Sequence, residues 1–205
     1  TRIPTIQGRA ATSPIAGQTV LTEGVVTRVT NNGYFLQDPT GDADPLTSDG
    51  LFVFNGSAPK PLPGQLLRVS GTVTEFNVGA AGNPFSSAAP LTELTNPGTP
   101  TVVRSGVTVE PVSVDLLDPL LDLERYEGML VTIPGPLTVS QNFFLGRFGQ
   151  LTLSAGGRLE TPTNRFRPGA AARDLAERNA RRSLLLDDGS SLQNPNPIPY
   201  LGGDQ

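Results

Sequence analysis

Apolar and polar residues alternate in part along Gln18 to Val29, "QTVLTEGVVTRV", the period of a half-buried strand, with Gly24 where a long strand can bend or bulge. Asn31-Asn32-Gly33 follows as a hairpin turn signal. The short apolar runs "YFLQ" at 34–37 and "LFVF" at 51–54 flank an acidic stretch, and "LPGQLLRVSGTVTEF" at 62–76 reads as a strand pair or one bent strand, with Gly71 at the bend. Short strands at this spacing, with Gly at the bends, predict a small antiparallel barrel.

Residues 77–99 are rich in Gly, Ala, Asn, Ser and Pro and read as a loop with one short strand at "LTEL". A second unit begins near 100. "TVVRSGVTVEPVSV" is extended; Asp118-Pro119 and Gly128 frame a short helix over "LLDLERYE". "MLVTIPGPLTVSQ" and "QLTLS" return to strand periodicity. The Ala-rich run with a terminal double Arg predicts a helix over about 169–182, and "SLLLDDGSS" a strand and a turn. Ser13-Pro14 leading to Gly17 and "TVLTEGVVTRV" is echoed by Asp118-Pro119 leading to Gly128 and "MLVTIPGPLTV"; each then reaches an aromatic pair. Nothing after Asp187 echoes "PGQLLRVSGTVTEF". The expectation is a mainly β chain: a barrel over 1–99, then a related β unit with one α-helix over 100–205 that lacks its closing strands.

Composition removes most chemistry. The 205 residues contain no His and no Cys, which excludes Ser-His-Asp triads, imidazole acid–base work, His or thiolate metal sites, thiol catalysis and disulfides. Lys60 is the only Lys. Carboxylate chemistry, or none, is left. No run approaches the roughly 18 apolar residues of a membrane-spanning helix. The net charge is −4, yet residues 146–182 hold eight Arg against Glu160, Asp174 and Glu177. Such a split marks a polar binding face or an ordinary solvated helix.

The phrases "IQGRAATSPIAGQTVLTEGVVT", "GYFLQDPTGDADPLTSDGLFVF", "LERYEGMLVTIPGPLTV" and "LLLDDGSSLQNPNPIPY" resemble the region preceding the catalytic domain in large secreted bacterial nucleases. Those proteins carry a DNase I-like endonuclease/exonuclease/phosphatase domain. The resemblance spans Ile6 to about Tyr200. It implies an OB-like barrel, a secreted or cell-surface bacterial location, and a nuclease domain farther along the same polypeptide as a partner. A DNase I-like site works with His and carboxylates around a divalent metal, so a chain without His inherits no catalytic residue from it.

An OB barrel binds single strands by stacking bases on aromatic rings and running phosphates along a basic groove. In the first unit the aromatic candidates are Tyr34, Phe35, Phe52 and Phe54, with Arg28, Lys60 and Arg68 as charge partners. Alternation puts Tyr34 with Leu36 on one face, and Phe52 with Phe54 on a shared face that reads as barrel core. In the second unit Phe143 and Phe144 precede "GRF" at 146–148, and "RFR" stands at 165–167. Arg147, Phe148, Arg165, Phe166 and Arg167 are the better nucleic-acid candidates, against the alternative of polar loops packed on the sheet by their Phe residues.

The stretch "QDPTGDADPLTSDG" at 37–50 places Asp38, Asp42, Asp44 and Asp49 among turn formers. Read from Asp38, oxygen-bearing residues recur at Thr40, Asp42 and Asp44, and Asp49 closes a twelve-residue span that imitates a Ca²⁺-binding loop. Ala43 stands where such a loop needs Gly, Asp49 where it uses Glu, and Pro39 and Pro45 fit it poorly. The readings are a plain hairpin loop, a loop holding Ca²⁺, or a carboxylate pair of a hydrolase. The functional expectation is a non-catalytic region of a secreted nuclease that binds DNA or RNA, the alternative being a structural or cell-surface interaction module.

Overall fold

The alternation over 18–29 forms one continuous strand, β1 (Thr19–Val29), which is long enough to pair with two neighbours in turn. A computed structural model of the protein describes residues 1–77, 90–190, 192–198 and 200–201. The chain divides into two units. One comprises Thr1–Val112 with Asp122–Thr132, the other Ser113–Leu121 with the residues from Ile133 onward.

In the first unit, β1 is followed by β2 (Gly33–Gln37), β3 (Gly50–Phe54), β4 (Leu66–Phe76), β5 (Leu91–Thr95) and β6 (Thr101–Arg104). The sheet order is β1-β2-β3-β5-β4-β6, and β1 also pairs with β4. Five strands therefore close on themselves, with all neighbours antiparallel except β3 and β5. The result is an OB-like barrel whose closure depends on the two long strands. β1 pairs with β4 from Thr19 to Val25 and with β2 from Val25 to Val29. β4 pairs with β1 up to Thr72 and with β5 from Thr72 onward.

Gly71 adjoins Thr72, where β4 passes from pairing with β1 to pairing with β5. A Cβ at Gly71 would lie 3.1 Å from the Leu94 side chain, so the missing side chain lets β5 approach closely there. In β1 the register shifts between Val26 and Arg28 instead of at Gly24. Gly24 makes room for the barrel plug, since a Cβ there would stand 2.9 Å from both Ile3 and Leu36. The β1–β2 hairpin closes at Asn31-Asn32, with the Thr30 N–H donating to the Gly33 carbonyl at 2.9 Å.

The core contains Val20, Val26, Tyr34, Leu36, Leu51, Val53, Leu67, Val69, Val73 and Leu94, joined by Ile3 and Ile6 from a short N-terminal helix, α1 (Ile3–Gln7). Both isoleucines are fully buried. Each contributes about 2 kcal/mol of transfer free energy, ample to hold a five-residue helix that would not form alone. The expected core face of β3 is corrected here. Leu51 and Val53 point inward, because Val53 pairs with Tyr34 and Leu51 with Leu36. Phe52 and Phe54 lie on the outer face. Phe52 is nonetheless buried: its ring is 4.9 Å from Phe35 and lies over Gly33, where a Cβ would meet it at 2.3 Å.

The first unit runs past residue 99, where composition places a boundary, because β6 pairs with Leu66–Arg68 of β4. Asp122–Thr132 belongs to it as well. The short helix expected over 120–127 is reduced to a 3₁₀ turn at Leu123–Tyr126, capped by the Asp122 side chain. This segment packs backbone to backbone on β3. A Cβ on Gly50 would meet the Gly128 carbonyl carbon at 2.3 Å and the Glu127 oxygen at 2.4 Å. Ser48 Oγ donates to the Glu127 carbonyl at 2.6 Å, and the Leu130 N–H donates to Gln37 Oε1 at 2.7 Å.

The second unit holds a three-stranded antiparallel sheet of Leu137–Gln141, Leu151–Ala155 and Ser183–Leu186, with Leu151–Ala155 in the middle. Among the described residues this sheet is open. The expected helix is present as Ala170–Arg181. The Arg182 guanidinium does more than suit the helix dipole: it donates to the carbonyls of Ala155 and Gly157 at 2.6 and 2.8 Å, tying the helix end to the middle strand.

Candidate nucleic-acid interface

The acidic loop between β2 and β3 consumes its own carboxylates. The Asp38 N–H donates to the Asp49 carbonyl at 2.9 Å and fixes the loop ends. Asp38 Oδ1 accepts from the Thr40 N–H and hydroxyl at 3.0 and 2.9 Å, and Oδ2 accepts from Arg2 Nε at 3.1 Å. Burial works against the ionised Asp38 carboxyl, but these donors outweigh it and hold its pKa below the ordinary carboxylate value. Asp42 Oδ1 accepts from the Asp44 N–H and the Thr47 hydroxyl, and Asp44 binds the Leu46 N–H and the Arg9 guanidinium.

Asp49 differs from the other three. Burial, with the charges of Asp42 and Asp38 adding to it, raises its pKa. Its Oδ1 is buried without a partner, and its carboxyl packs where a Gly41 side chain would otherwise stand. Among the described residues no group of three or more carboxylates is placed to hold a metal ion. Asx turns and two arginines account for the loop. "LDDGSS" is built the same way, with Asp187 accepting from the Gly189 N–H and Asp188 from the Ser190 N–H.

Tyr34 is the clearest correction among the aromatic candidates. It is fully buried in the barrel core, and burial pushes its phenol up to about 12. A ring in that position offers no face to a base. The reason is register: Tyr34 shares its face with Leu36, and that face is the interior.

The second unit carries the most exposed phenylalanine among the described residues. A turn leads from the strand Leu137–Gln141 into a one-turn helix, α2 (Leu145–Phe148), stopped by Gly149 in the left-handed conformation. Phe143 is 76% exposed and Phe144 43%. The two rings meet edge to face at 4.9 Å, and Phe144 lies 5.8 Å from Phe148. The Arg147 guanidinium sits over the Phe148 ring at 5.0 Å, and its Nε donates to Gln193 at 3.3 Å. Exposed aromatic surface is costly in water, and here it is concentrated beside a cation on one short turn.

The "RFR" group is built differently. Arg165 ends another one-turn helix, α3 (Pro162–Arg165), pairs with Glu160 at 2.7 Å and lies 6.0 Å over Phe166. Phe166 is half-buried and Arg167 exposed. No hydrogen bond or ring contact among the described residues links this group to Arg147 and Phe148. Arg173, Arg178 and Arg181 are exposed on Ala170–Arg181 and extend the basic surface of this unit. Phe143 and Phe144 are legible in the sequence as an aromatic pair, but only the turn geometry shows that both rings face solvent.

No family model matches the sequence, and no curated protein matches it. The fold and the side chains alone define the class: a mainly β chain with an OB-like barrel and a second β unit that bears an exposed aromatic and basic turn.

Proposed function

We propose that this chain is a non-catalytic, nucleic-acid-binding region, and that the Phe143–Phe148 turn is its contact surface. The observation that carries the reading is the cluster of Phe143, Phe144 and Phe148 with the Arg147 guanidinium. Exposed rings supply sequence-tolerant stacking platforms for bases, and a neighbouring guanidinium pairs with phosphate. The exposed arginines of Ala170–Arg181 and Arg167 add the positive field that the net charge of −4 conceals. The sequence phrases given above support a setting in a secreted or cell-surface bacterial nuclease, where a DNase I-like domain on the same polypeptide supplies the chemistry and this region holds substrate.

Fluorescence anisotropy with labelled single- and double-stranded DNA and RNA, over a salt series, tests the proposal. Single strands bind at low salt, and affinity falls as salt rises. Replacing Phe143 and Phe144 with Ala weakens binding about ten-fold or more, since each stacked base is worth about 1–3 kcal/mol. Absence of binding at low salt, or full binding by the double variant, sinks the proposal.

A further inference from the structure

Two turns of the barrel meet through a single carbonyl. The β1–β2 turn leads into Asn32-Gly33, and the turn after β3 begins with Asn55-Gly56; these are the two Asn-Gly pairs of the chain. The Asn32 carbonyl accepts from the Asn55 N–H at 3.1 Å and from the Gly56 N–H at 3.0 Å. Asn before Gly is chemically labile, because glycine sets no side chain in the way of attack by its own nitrogen on the Asn amide.

The two pairs differ in how they are held. Asn55 is half-buried, and its Nδ2 donates to the Pro59 carbonyl at 3.2 Å. The Gly56 N–H is the group bound to Asn32, so nucleophile and leaving group are both fastened. Asn32 is exposed, and its Oδ1 accepts from the Thr30 hydroxyl at 3.0 Å. That donation draws electron density from the amide carbon. The Gly33 N–H enters no hydrogen bond among the described residues. On the β1 side the Gly33 carbonyl accepts from the Thr30 N–H, and on the β3 side the ladder bond falls on the Asn32 carbonyl.

We infer that Asn32-Gly33 is a site of spontaneous deamidation in the folded protein, and that its reaction releases Asn55-Gly56 to react second. The Gly33 nitrogen gives its proton to water or hydroxide and attacks Asn32 Cγ. A C–N bond forms and closes a cyclic imide, while the Cγ–Nδ2 bond breaks and ammonia leaves with a proton. Water then opens the imide at either carbonyl. Aspartate is one product. The other is isoaspartate, which routes the backbone through the former side chain and lengthens it by a methylene. Both add a negative charge to the hairpin. Isoaspartate also displaces the carbonyl that holds the Asn55 and Gly56 N–H groups, and so frees the Gly56 nitrogen. This site is independent of the Phe143–Phe148 turn, and either can fail without the other.

Incubation of the full chain at mildly alkaline pH, followed by peptide mass mapping and isoaspartate-specific methylation, tests the inference. In the folded chain Asn32 is modified at least about five-fold faster than Asn55, the worth of the one hydrogen bond that Gly56 must first give up. In urea the two rates become similar. Modification of Asn55 lags, and occurs mainly in molecules already changed at Asn32. Asn32→Gln, at an exposed side chain, keeps the carbonyl and leaves Asn55 at its slow initial rate, with the melting temperature of the parent. Equal rates in the folded chain, faster reaction at Asn55, or no modification at either position overturns the inference. So does an Asn32→Gln protein in which Asn55 reacts as fast as it does late in the parent.

Discussion

Glu127→Gln isolates the electrostatics of the segment that packs on the barrel. The Glu127 carboxyl accepts from the Thr92 N–H at 2.9 Å and from Gln7 Nε2 at 3.2 Å, both through Oε1. Burial pushes its pKa up from 4.5 to about 7; the two donors oppose this, and the charges of Glu124 and Glu75 add to it. The folded pKa lies above the unfolded one. The protonated acid therefore favours the folded state, and its contribution is fully present below about pH 4.5 and lost as pH rises through 7. A rise of this size corresponds to about 3 kcal/mol between the two limits, and the partial exposure of the group reduces that to about 2 kcal/mol.

The amide of Gln keeps an oxygen for the same two donors and carries no charge at any pH. Glu127→Gln is expected to match the parent near pH 4 and to exceed it by about 2 kcal/mol at pH 8. Urea unfolding at a series of pH values, compared between the two proteins, gives this difference directly. The comparison is needed because Glu93, buried on β5, is also pushed up to about 7 by burial and titrates in the same window in both proteins. A stability difference that stays flat from pH 4 to 8, or a variant less stable at pH 8, refutes the argument.

Gly50→Ala drives a methyl into the backbone at Glu127 and Gly128, and is expected to destabilise the first unit by about 1–3 kcal/mol or more in urea unfolding. Gly33→Ala does the same beneath the Phe52 ring, with a matching loss expected. Arg2→Ala removes the donors on Asp38, Thr40 and Gly41 and costs about 1 kcal/mol near pH 7. Since Asp38 has a lowered pKa, that stabilisation exists above the unfolded carboxylate value and vanishes as pH falls. The parent and Arg2→Ala curves therefore converge in acid. Millimolar Ca²⁺ is expected to leave the melting temperature unchanged, because Asp38, Asp42 and Asp44 already accept from internal donors.

The barrel was readable because its signals are local. Alternation over 19–29, the Asn31-Asn32-Gly33 turn and the glycine at 71 each act within one strand or one hairpin. The face of β3 was not readable in the same way. "LFVF" has large apolar residues at every position, so the period of two cannot say which pair turns inward. The partners decide it: Tyr34 and Leu36 are already inside, and register puts Val53 and Leu51 opposite them. Outside, Phe52 finds burial only because Gly33 leaves a place for its ring. The same pairing turned Tyr34 from a stacking candidate into a core residue.

The acidic loop shows how spacing leaves out donors that lie far away in the chain. Asp38 and Asp44 mimic alternate ligands of a cation loop, but Arg2 and Arg9, some 35 residues earlier, reach them first. Glu127 was invisible for a similar reason. Burial is what raises its pKa, and the groups that tune it, Gln7, Thr92 and Glu75, come from α1, β5 and β4, so no window of sequence contains them all. The exposed Phe143 and Phe144 are the opposite case. A turn of a few residues sets their geometry, and local sequence marks the pair without revealing that Phe143 stays mostly exposed. Function in this chain is therefore best sought where large apolar side chains remain unburied after the local and register rules have been satisfied. By that criterion the Phe143–Phe148 turn stands ahead of the acidic loop, where Asp38 and Asp44 are already paired with Arg2 and Arg9.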